Sequence, residues 1–419
     1  MRVERGQLRW IEHRRPPAGP LAPEVERTVR EIVEGVSEGG DEAVLEYTRR
    51  FDTGGQQPWP LRVEALQLRE ALEGLAPPLR QALELAAANV RAVALAALDA
   101  DRRVDLPQGH TVTLREVPVQ RAALYVPGGR APYPSTVVMG AVTAQVAGVE
   151  EVVVCSPPGA GGDVHQAVLA ACALCGVEEV YRMGGAQAVA ALARGTGTIE
   201  HVDVIAGPGN VYVQEAKRQL SAVVGIDSYA GPSELVVVFD ASADPRLVVS
   251  DLLAQAEHGE GSRVVAVSPA EPALDAVQRH LEAAPDTGAR CELLDVPDLE
   301  AGLGFAEELA PEHLQLMGDE AEALAAQVRS AGCLFVGAST GTAFGDYVAG
   351  SNHVLPTGGA ARFASALSVR TFRRTMAEVR LDGAAAELAP PGALIARAEG
   401  FEAHARSMQE RIRDNGGDG

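Results

Sequence analysis

Between about residues 120 and 340 the chain repeats one pattern: a short apolar, β-branched run, a glycine-containing turn, then a helical stretch. The runs read ALYV, VVVC, VEEVY, VDVIA, LVVVF, RVVAV and CLFV. A strand that is apolar at every position, rather than every second one, is buried on both faces. That requires helices on both sides of a largely parallel sheet. The rhythm therefore predicts α/β architecture in two open domains. The preceding hundred residues read as helices. VERTVREIVEGVSEGGDEAVLEYTRRF spaces its apolar side chains three and four apart and breaks at Gly39 and Gly40, and PPLRQALELAAANVRAVALAAL follows. Beyond about residue 360 the strand rhythm stops, and EGFEAHARSMQERIRDNGGDG predicts a terminal helix whose apolar face needs a partner surface, such as a dimer contact.

Composition narrows the partners. With 36 basic against 57 acidic residues the 419-residue chain carries a net charge of −21, which opposes binding to a phosphate backbone, and 4% aromatic residues leave little for base stacking. Nucleic acid is not an expected partner. Five cysteines, an odd number at scattered positions, make no disulfide framework and suit a reducing cytoplasm. Cys172 and Cys175 form a lone C-x-x-C inside the apolar run DVHQAVLAACALCGV, where burial on a helix explains them better than metal or redox use. The first 15 residues lack the apolar core of a signal peptide, and the longest uncharged stretch, 131–149, holds Pro132, Pro134, Ser135, Thr136 and Gln145. Neither export nor a membrane span is expected.

Three glycine-rich turns follow strands: VPGG (126–129), MGGAQA (183–188) and AGPGN (206–210). Loops at the carboxyl ends of parallel strands are where α/β domains hold ligands, and their N–H groups can approach a phosphate. None is a G-x-G-x-x-G, so nucleotide loops and ordinary tight turns both fit. Tyr125, Gln187 and Asn210 stand at these turns. In SDLLAQAEHG, Asp251, Gln255 and His258 are spaced by four and three residues and share one narrow helical face, with Gly259 as the expected C-cap. A metal site and a polar surface both fit that face. Glu312 and His313 are adjacent; on an extended segment they would point to opposite sides, one toward a water and one toward a hydroxyl. Taken in isolation, an exposed loop before HLQLM is the simpler explanation of the pair. Asp346, in FGDYVAGSNHVLP, either caps a turn or completes a metal site. His13, His110, His165, His201 and His280 sit in polar settings that solvation explains, leaving His258, His313, His353 and His404.

Taken together, LYVPGGRAPYPSTVVMGAVTAQVAG, VVVCSPP, MGGAQAVAALA, GPGNVYVQEAKRQ, AGPSELVV, SDLLAQAEHG, APEHLQL, GDYVAGSNHVLPT and the E-x-x-x-x-H of Glu399 to His404 closely resemble the histidinol dehydrogenases, in unchanged order from about residue 25 to 410. The resemblance implies two incomplete Rossmann-like domains of aldehyde-dehydrogenase type with small N- and C-terminal helical extensions. The implied boundaries are an extension at 1–24, a first domain of 25–120 plus 234–362, a nucleotide-binding domain at 121–233, and a C-terminal dimer-contact extension at 363–419. It also implies a cytoplasmic, NAD-linked homodimer with one zinc ion per subunit that oxidises L-histidinol to L-histidine through L-histidinaldehyde. By resemblance the zinc ligands are Gln255, His258, Asp346 and His404, the last together with Glu399 coming across the dimer interface. Glu312 and His313 match the acid/base pair. Ser233, Glu399 and His404 match substrate contacts, joined there by His313 and the metal-binding side chains, and Tyr125, Gln187 and Asn210 match cofactor contacts. A paralogous metal-dependent dehydrogenase of another small hydroxy compound is the alternative. Two departures stand out: VDVIA lacks a lysine common there, and Arg370 and Thr371 replace an acidic residue before Phe372. Cys155, at the end of VVVC, reads as a buried structural thiol rather than a nucleophile.

Overall fold

The computed structural model describes residues 2–7, 22–56, 59–128 and 131–413. His13, Gly129 of the VPGG turn and the last six residues lie outside them. The chain divides into two compact units, the larger built from residues in 1–97 and 119–372, the smaller from 98–118 and 373–419.

Strand β1 (Arg2–Gln7) is followed by helices α1 (Pro23–Phe51), α2 (Ala65–Glu73) and α3 (Pro77–Ala96). Gly40 interrupts α1 with φ 55° and ψ −137°, the break its two glycines predict. Next come β2 (Arg102–Asp105) and β3 (Thr111–Pro118). The first βα series then runs β4 (Arg121–Tyr125), α4 (Pro134–Ala147), β5 (Glu151–Ser156), α5 (Gln166–Leu174), β6 (Glu179–Arg182), α6 (Gly185–Arg194), β7 (Val204–Ala206), α7 (Val211–Leu220) and β8 (Gly225–Ile226). Its parallel sheet has the order β6-β5-β4-β7-β8, reversing direction between β4 and β7. The second series runs β9 (Glu234–Phe239), α8 (Pro245–Ala256), β10 (Arg263–Ser268), α9 (Glu271–Glu282), β11 (Arg290–Asp295), α10 (Leu299–Leu309), β12 (His313–Met317), α11 (Asp319–Glu322), β13 (Cys333–Val336) and α12 (Thr342–Tyr347). Its parallel sheet has the order β1-β11-β10-β9-β12-β13, reversing between β9 and β12.

Side chains from alternate positions of β9 enter two different cores, as burial on both faces demands. Leu235, Val237 and Phe239 pack with Val248 and Leu252 of α8 and Leu274 and Val277 of α9. Val236 and Val238 pack with Leu303, Ala306 and Leu309 of α10. In the other half, Val29, Ile32, Val33 and Val36 of α1 join Val189 and Leu192 of α6 and Val213 and Leu220 of α7.

Three expectations need correction. The N-terminal segment is no mere extension, because β1 pairs along its length with β11 as the edge strand of the second sheet. Helices α1, α2 and α3 pack on α6 and α7, on α5 and on α4, so they clothe the first sheet, and α3 also reaches the half that begins again at 234, where Asn89 Nδ2 donates to the Val348 carbonyl at 2.8 Å. The strand rhythm also does not end at 360: β14 (Arg373–Arg380) pairs antiparallel with β3, and β3 with β2. β2 and β14 lie mostly exposed and carry charged side chains, so no apolar run announces them. Helices α13 (Ala385–Ala398) and α14 (Glu402–Arg413) complete this smaller unit around Ala393, Ala396 and Ala405. Among the described residues no helix is long and apolar enough to cross a membrane.

The turn after β7 shows how tightly the first sheet closes. Gly207 has φ 115°, and a β-carbon there would collide with the Tyr125 carbonyl oxygen. Its N–H donates to Asp227 Oδ2 (2.7 Å), while the buried Lys217 Nζ bridges the Gly207 carbonyl (2.5 Å) and Asp227 Oδ1 (2.7 Å). Gly207→Ala should therefore cost about 2 kcal/mol or more. The check is a urea midpoint that falls with an unchanged slope; an unchanged midpoint would refute the collision.

Candidate active site

Glu312 and His313 lie at the amino end of β12, not on an exposed loop: they are 7% and 3% exposed. Nor do their side chains diverge. Residue 312 is still a bend, after Ala310 in the left-handed region at φ 50°, so strand alternation has not begun. Glu312 Oε2 stands 3.6 Å from His313 Nδ1, and both side chains meet the main chain of Glu234, the first residue of β9. The Glu234 N–H donates to Glu312 Oε2 at 3.0 Å, and the Glu234 carbonyl faces His313 Nδ1 at 3.3 Å. A carbonyl only accepts, so Nδ1 carries a ring proton, and in the neutral ring Nε2 holds the lone pair. That nitrogen is buried without a hydrogen-bond partner, 3.5 Å from Asp346 Oδ1.

The electrostatics follow from this burial. Desolvation pushes Glu312 up to about 7, against the pull of His313 and the Glu234 N–H. For His313 burial favours the neutral ring, but Glu312 and Asp346 outweigh it and raise the imidazole above its usual value. Burial would likewise raise Asp346, yet His313, His353 and His258 hold it below the carboxylate range. His258 is lowered, chiefly by burial, which keeps its imidazole neutral.

The metal-ligand expectation meets a mixed outcome. Helix α8 ends at Ala256, two residues short of His258, which lies in the hydrogen-bonded turn that Gly259 closes with φ 87°. Gln255 is 2% exposed and its Nε2 has no partner. His258 and Asp346 act electrostatically on each other and on His313. Among the described residues no three His, Cys, Asp or Glu side chains are grouped as a metal site by themselves. The donor chemistry nevertheless fits zinc: the Asp346 carboxylate, the neutral His258 imidazole and the carbonyl oxygen that the buried Gln255 amide can offer make a mixed N/O set. His404 and Glu399 belong to the smaller unit, where both are exposed. His404 stacks obliquely on Phe401, with ring centroids 5.2 Å apart, and Glu399 caps the end of α13. Ser233 is half-buried, and its carbonyl accepts from the Arg263 N–H.

The cofactor candidates gather at the reversal between β4 and β7, the usual nucleotide crevice of an open α/β sheet. Tyr125 Oη accepts the Gly185 N–H at 3.1 Å, which ties the turn after β6 to β4. Tyr125 and Gln187 are 3% and 1% exposed, buried beneath these turns rather than open to solvent. Asn210 is exposed and N-caps α7, its Oδ1 accepting from Tyr212 and Val213 N–H. Glycine turns leading into the N-termini of α6 and α7 are the chemistry that a dinucleotide's phosphates take. The glycines of the crevice have a second reason to be there, since β-carbons at Gly128 and Gly184 would press on Pro157.

With this geometry in place, the comparisons with known proteins are decisive. The family model for histidinol dehydrogenase matches residues 20–412. The histidinol dehydrogenase of Synechococcus sp. is 45% identical over 398 residues, 92% of each chain, and that of Parasynechococcus marenigrum is 43% identical over 401 residues, 93% of this chain and 91% of the relative. The crystal structure of histidinol dehydrogenase from Elizabethkingia anophelis superposes with a TM-score of 0.91 at 30% identity, covering 100% of this chain and 99% of that one. The chain belongs to the histidinol dehydrogenase family.

Within that family frame, three residues went unassigned in the sequence. Glu234 serves through its main chain, which no residue-type pattern reveals. His353 donates from Nδ1 to the Asp346 carbonyl (2.8 Å), so its Nε2 accepts the Thr136 hydroxyl (3.0 Å). Burial lowers its pKa, consistent with this neutral tautomer. Asp52 sits under the cofactor crevice, where Oδ2 accepts from Gln187 Nε2 at 3.2 Å and the carboxylate also takes the Gly184 N–H.

Burial pushes Asp52 from 3.8 up to about 6 despite both donors. The folded protein thus holds a proton that the unfolded chain has already released over the window from about 4 to about 6. Stability from this group falls as pH rises through that window and stays at its lowest above it. Asp52→Asn removes the ionisation, so its gain in melting temperature over the wild type should be larger at about pH 7 than at about pH 4. An equal difference at both would show that Asp52 ionises normally.

Proposed function

We propose that this chain is a zinc- and NAD-dependent dehydrogenase that oxidises L-histidinol to L-histidinaldehyde and then to L-histidine, the last two steps of histidine biosynthesis, as a cytoplasmic homodimer. The observation that carries the proposal is the buried Glu312–His313 pair, held by the main chain of one residue, with His313 Nε2 unpartnered 3.5 Å from Asp346. Family membership supports the choice of substrate. Gln255, His258 and Asp346 would hold the metal, with His404 from the second subunit as a fourth donor. Ser233, His313, Glu399 and His404 would contact the substrate. When bound, zinc orients the substrate's amine and imidazole, and NAD, seated at the turns of Tyr125, Gln187 and Asn210, accepts one hydride in each step.

His313 Nε2 takes the proton of the alcohol as its carbon is oxidised. The carboxylates of Glu312 and Asp346 favour the imidazolium that results. Glu312, poised near neutrality, then removes a proton from the water that attacks the aldehyde carbonyl. The product is a gem-diol, whose oxidation gives the carboxylic acid. A thiol nucleophile is not used: Cys155 is fully buried, and burial pushes its thiol up to about 12.

Purified protein given L-histidinol and excess NAD should release two equivalents of NADH per substrate, stop on chelation and resume on zinc addition. One equivalent, or chelator-resistant turnover, would overturn the proposal. Glu312→Gln should slow aldehyde oxidation by about 100-fold or more while alcohol oxidation suffers far less. Equal loss in the two half-reactions, measured with each substrate separately, would remove Glu312 from its role.

A further inference from the structure

Asp251 shares its stretch of α8 with Gln255, and the chemistry above does not use it. Its carboxylate turns to other elements. Oδ2 accepts from Gln315 Nε2 at 2.7 Å, and the carboxylate also accepts the Thr342 N–H. Gln315 lies fully buried in β12, and its Nε2 donates a second bond, to the Thr340 carbonyl, at 3.1 Å. Both neighbours of that nitrogen only accept, which fixes the orientation of the amide. Asp251 Oδ1 packs so close to the turn before α12 that a β-carbon at Gly341 would approach it to 2.9 Å.

We propose that Asp251 and Gln315 are positioning residues, a carboxylate–amide strut that sets α8, β12 and α12 at the separation at which Gln255, His258 and Asp346 serve one divalent cation beside His313. Each anchor stands close in sequence to what it positions. Asp251 precedes Gln255 by one helical turn, with His258 in the turn just past the helix end, Thr342 precedes Asp346 by one turn, and Gln315 follows His313 by two residues on the same face of β12. A slide of any one element is therefore resisted at the strut and felt at the site. An apolar pair of similar volume would fill this space at lower desolvation cost, but without direction. Hydrogen bonds to three elements supply that direction.

The strut rests on the zinc assignment above, and one experiment separates the two. Zinc affinity of the full-length protein is measured by chelator competition, alongside thermal melting of the metal-free form, for wild type, Asp251→Asn, Gln315→Met and the double variant. Asn at 251 sets an amide donor against the Gln315 or Thr342 donor, and Met at 315 keeps the length but removes both bonds. Each single variant should bind zinc about 10- to 100-fold more weakly while the metal-free melt stays near that of wild type. The double variant should lose no more than the weaker single one. Variants that bind zinc within about twofold of wild type overturn the strut alone. The strut is likewise overturned if both single variants fail to fold without metal, since the pair is then a folding determinant. A wild type that takes up no zinc overturns the zinc assignment, and the strut with it. If Asp251→Asn alone fails to fold, Gln315→Met decides.

Discussion

The site depends on one peptide segment. Glu234 begins β9, and its N–H and carbonyl face two different side chains that arrive together at the start of β12. The donor meets a carboxylate and the acceptor meets a ring nitrogen, so the same residue favours a negative Glu312 and fixes the His313 proton on Nδ1. Parallel pairing of β12 with β9, His313 opposite Leu235, is what brings them to that register. A slip of one residue would turn both side chains away from these contacts. The pairing of the two strands at the point where the sheet order reverses is thus as much a part of the chemistry as the two side chains.

The two sheets use opposite ends. The nucleotide site proposed above follows the usual rule, lying at the carboxyl ends of β4, β6 and β7. Glu234 and His313, in contrast, stand at the amino ends of β9 and β12, and His258 lies in the turn that leads back toward β10. Hydrogen bonds join the two. Thr136, in the first turn of α4 and hence just beyond the carboxyl end of β4, bonds His353, which bonds the carbonyl of Asp346. Asn352 Nδ2 reaches the Met139 carbonyl at 3.1 Å, on the same helix. In the proposed reaction a hydride passes between groups held by different sheets, and these contacts set one sheet's end against the other's.

Much of this was legible in the sequence, for identifiable reasons. Strands buried on both faces announce themselves as apolar runs, so β4, β5, β7, β9 and β10 were visible, and the Gly39–Gly40 break in α1 was too. The small antiparallel sheet was not, because exposed strands such as RRVD and RRTMAEVR carry no such run. Residue types drew attention to Gln255, His258, Glu312, His313 and Asp346. They could not show that Glu312 and His313 converge, since that depends on where strand geometry begins. Nor could they find Glu234, whose part is played by atoms every residue has, or divide the polar face of α8. There Asp251 turns to Gln315 while Gln255 Nε2 is left without a partner.

The two oxidations proposed above, at one carbon, place different demands on the protein. The first needs a base for a hydroxyl proton, and the second needs a water activated against a carbonyl. A single histidine could serve the first, but a protonated one cannot serve the second until it has been reset. A second group with its own environment avoids that wait. Glu312 and His313 differ in this way: burial lifts the carboxyl to about 7, while two carboxylates lift the imidazole above its ordinary value. Groups this close titrate as a coupled pair, so each proton gained by one changes the other's readiness. Water can then do the work a thiolate does in other aldehyde oxidations, provided the carboxylate stays in a dry pocket. With Glu312 only 7% exposed, the pocket meets that condition without a cysteine.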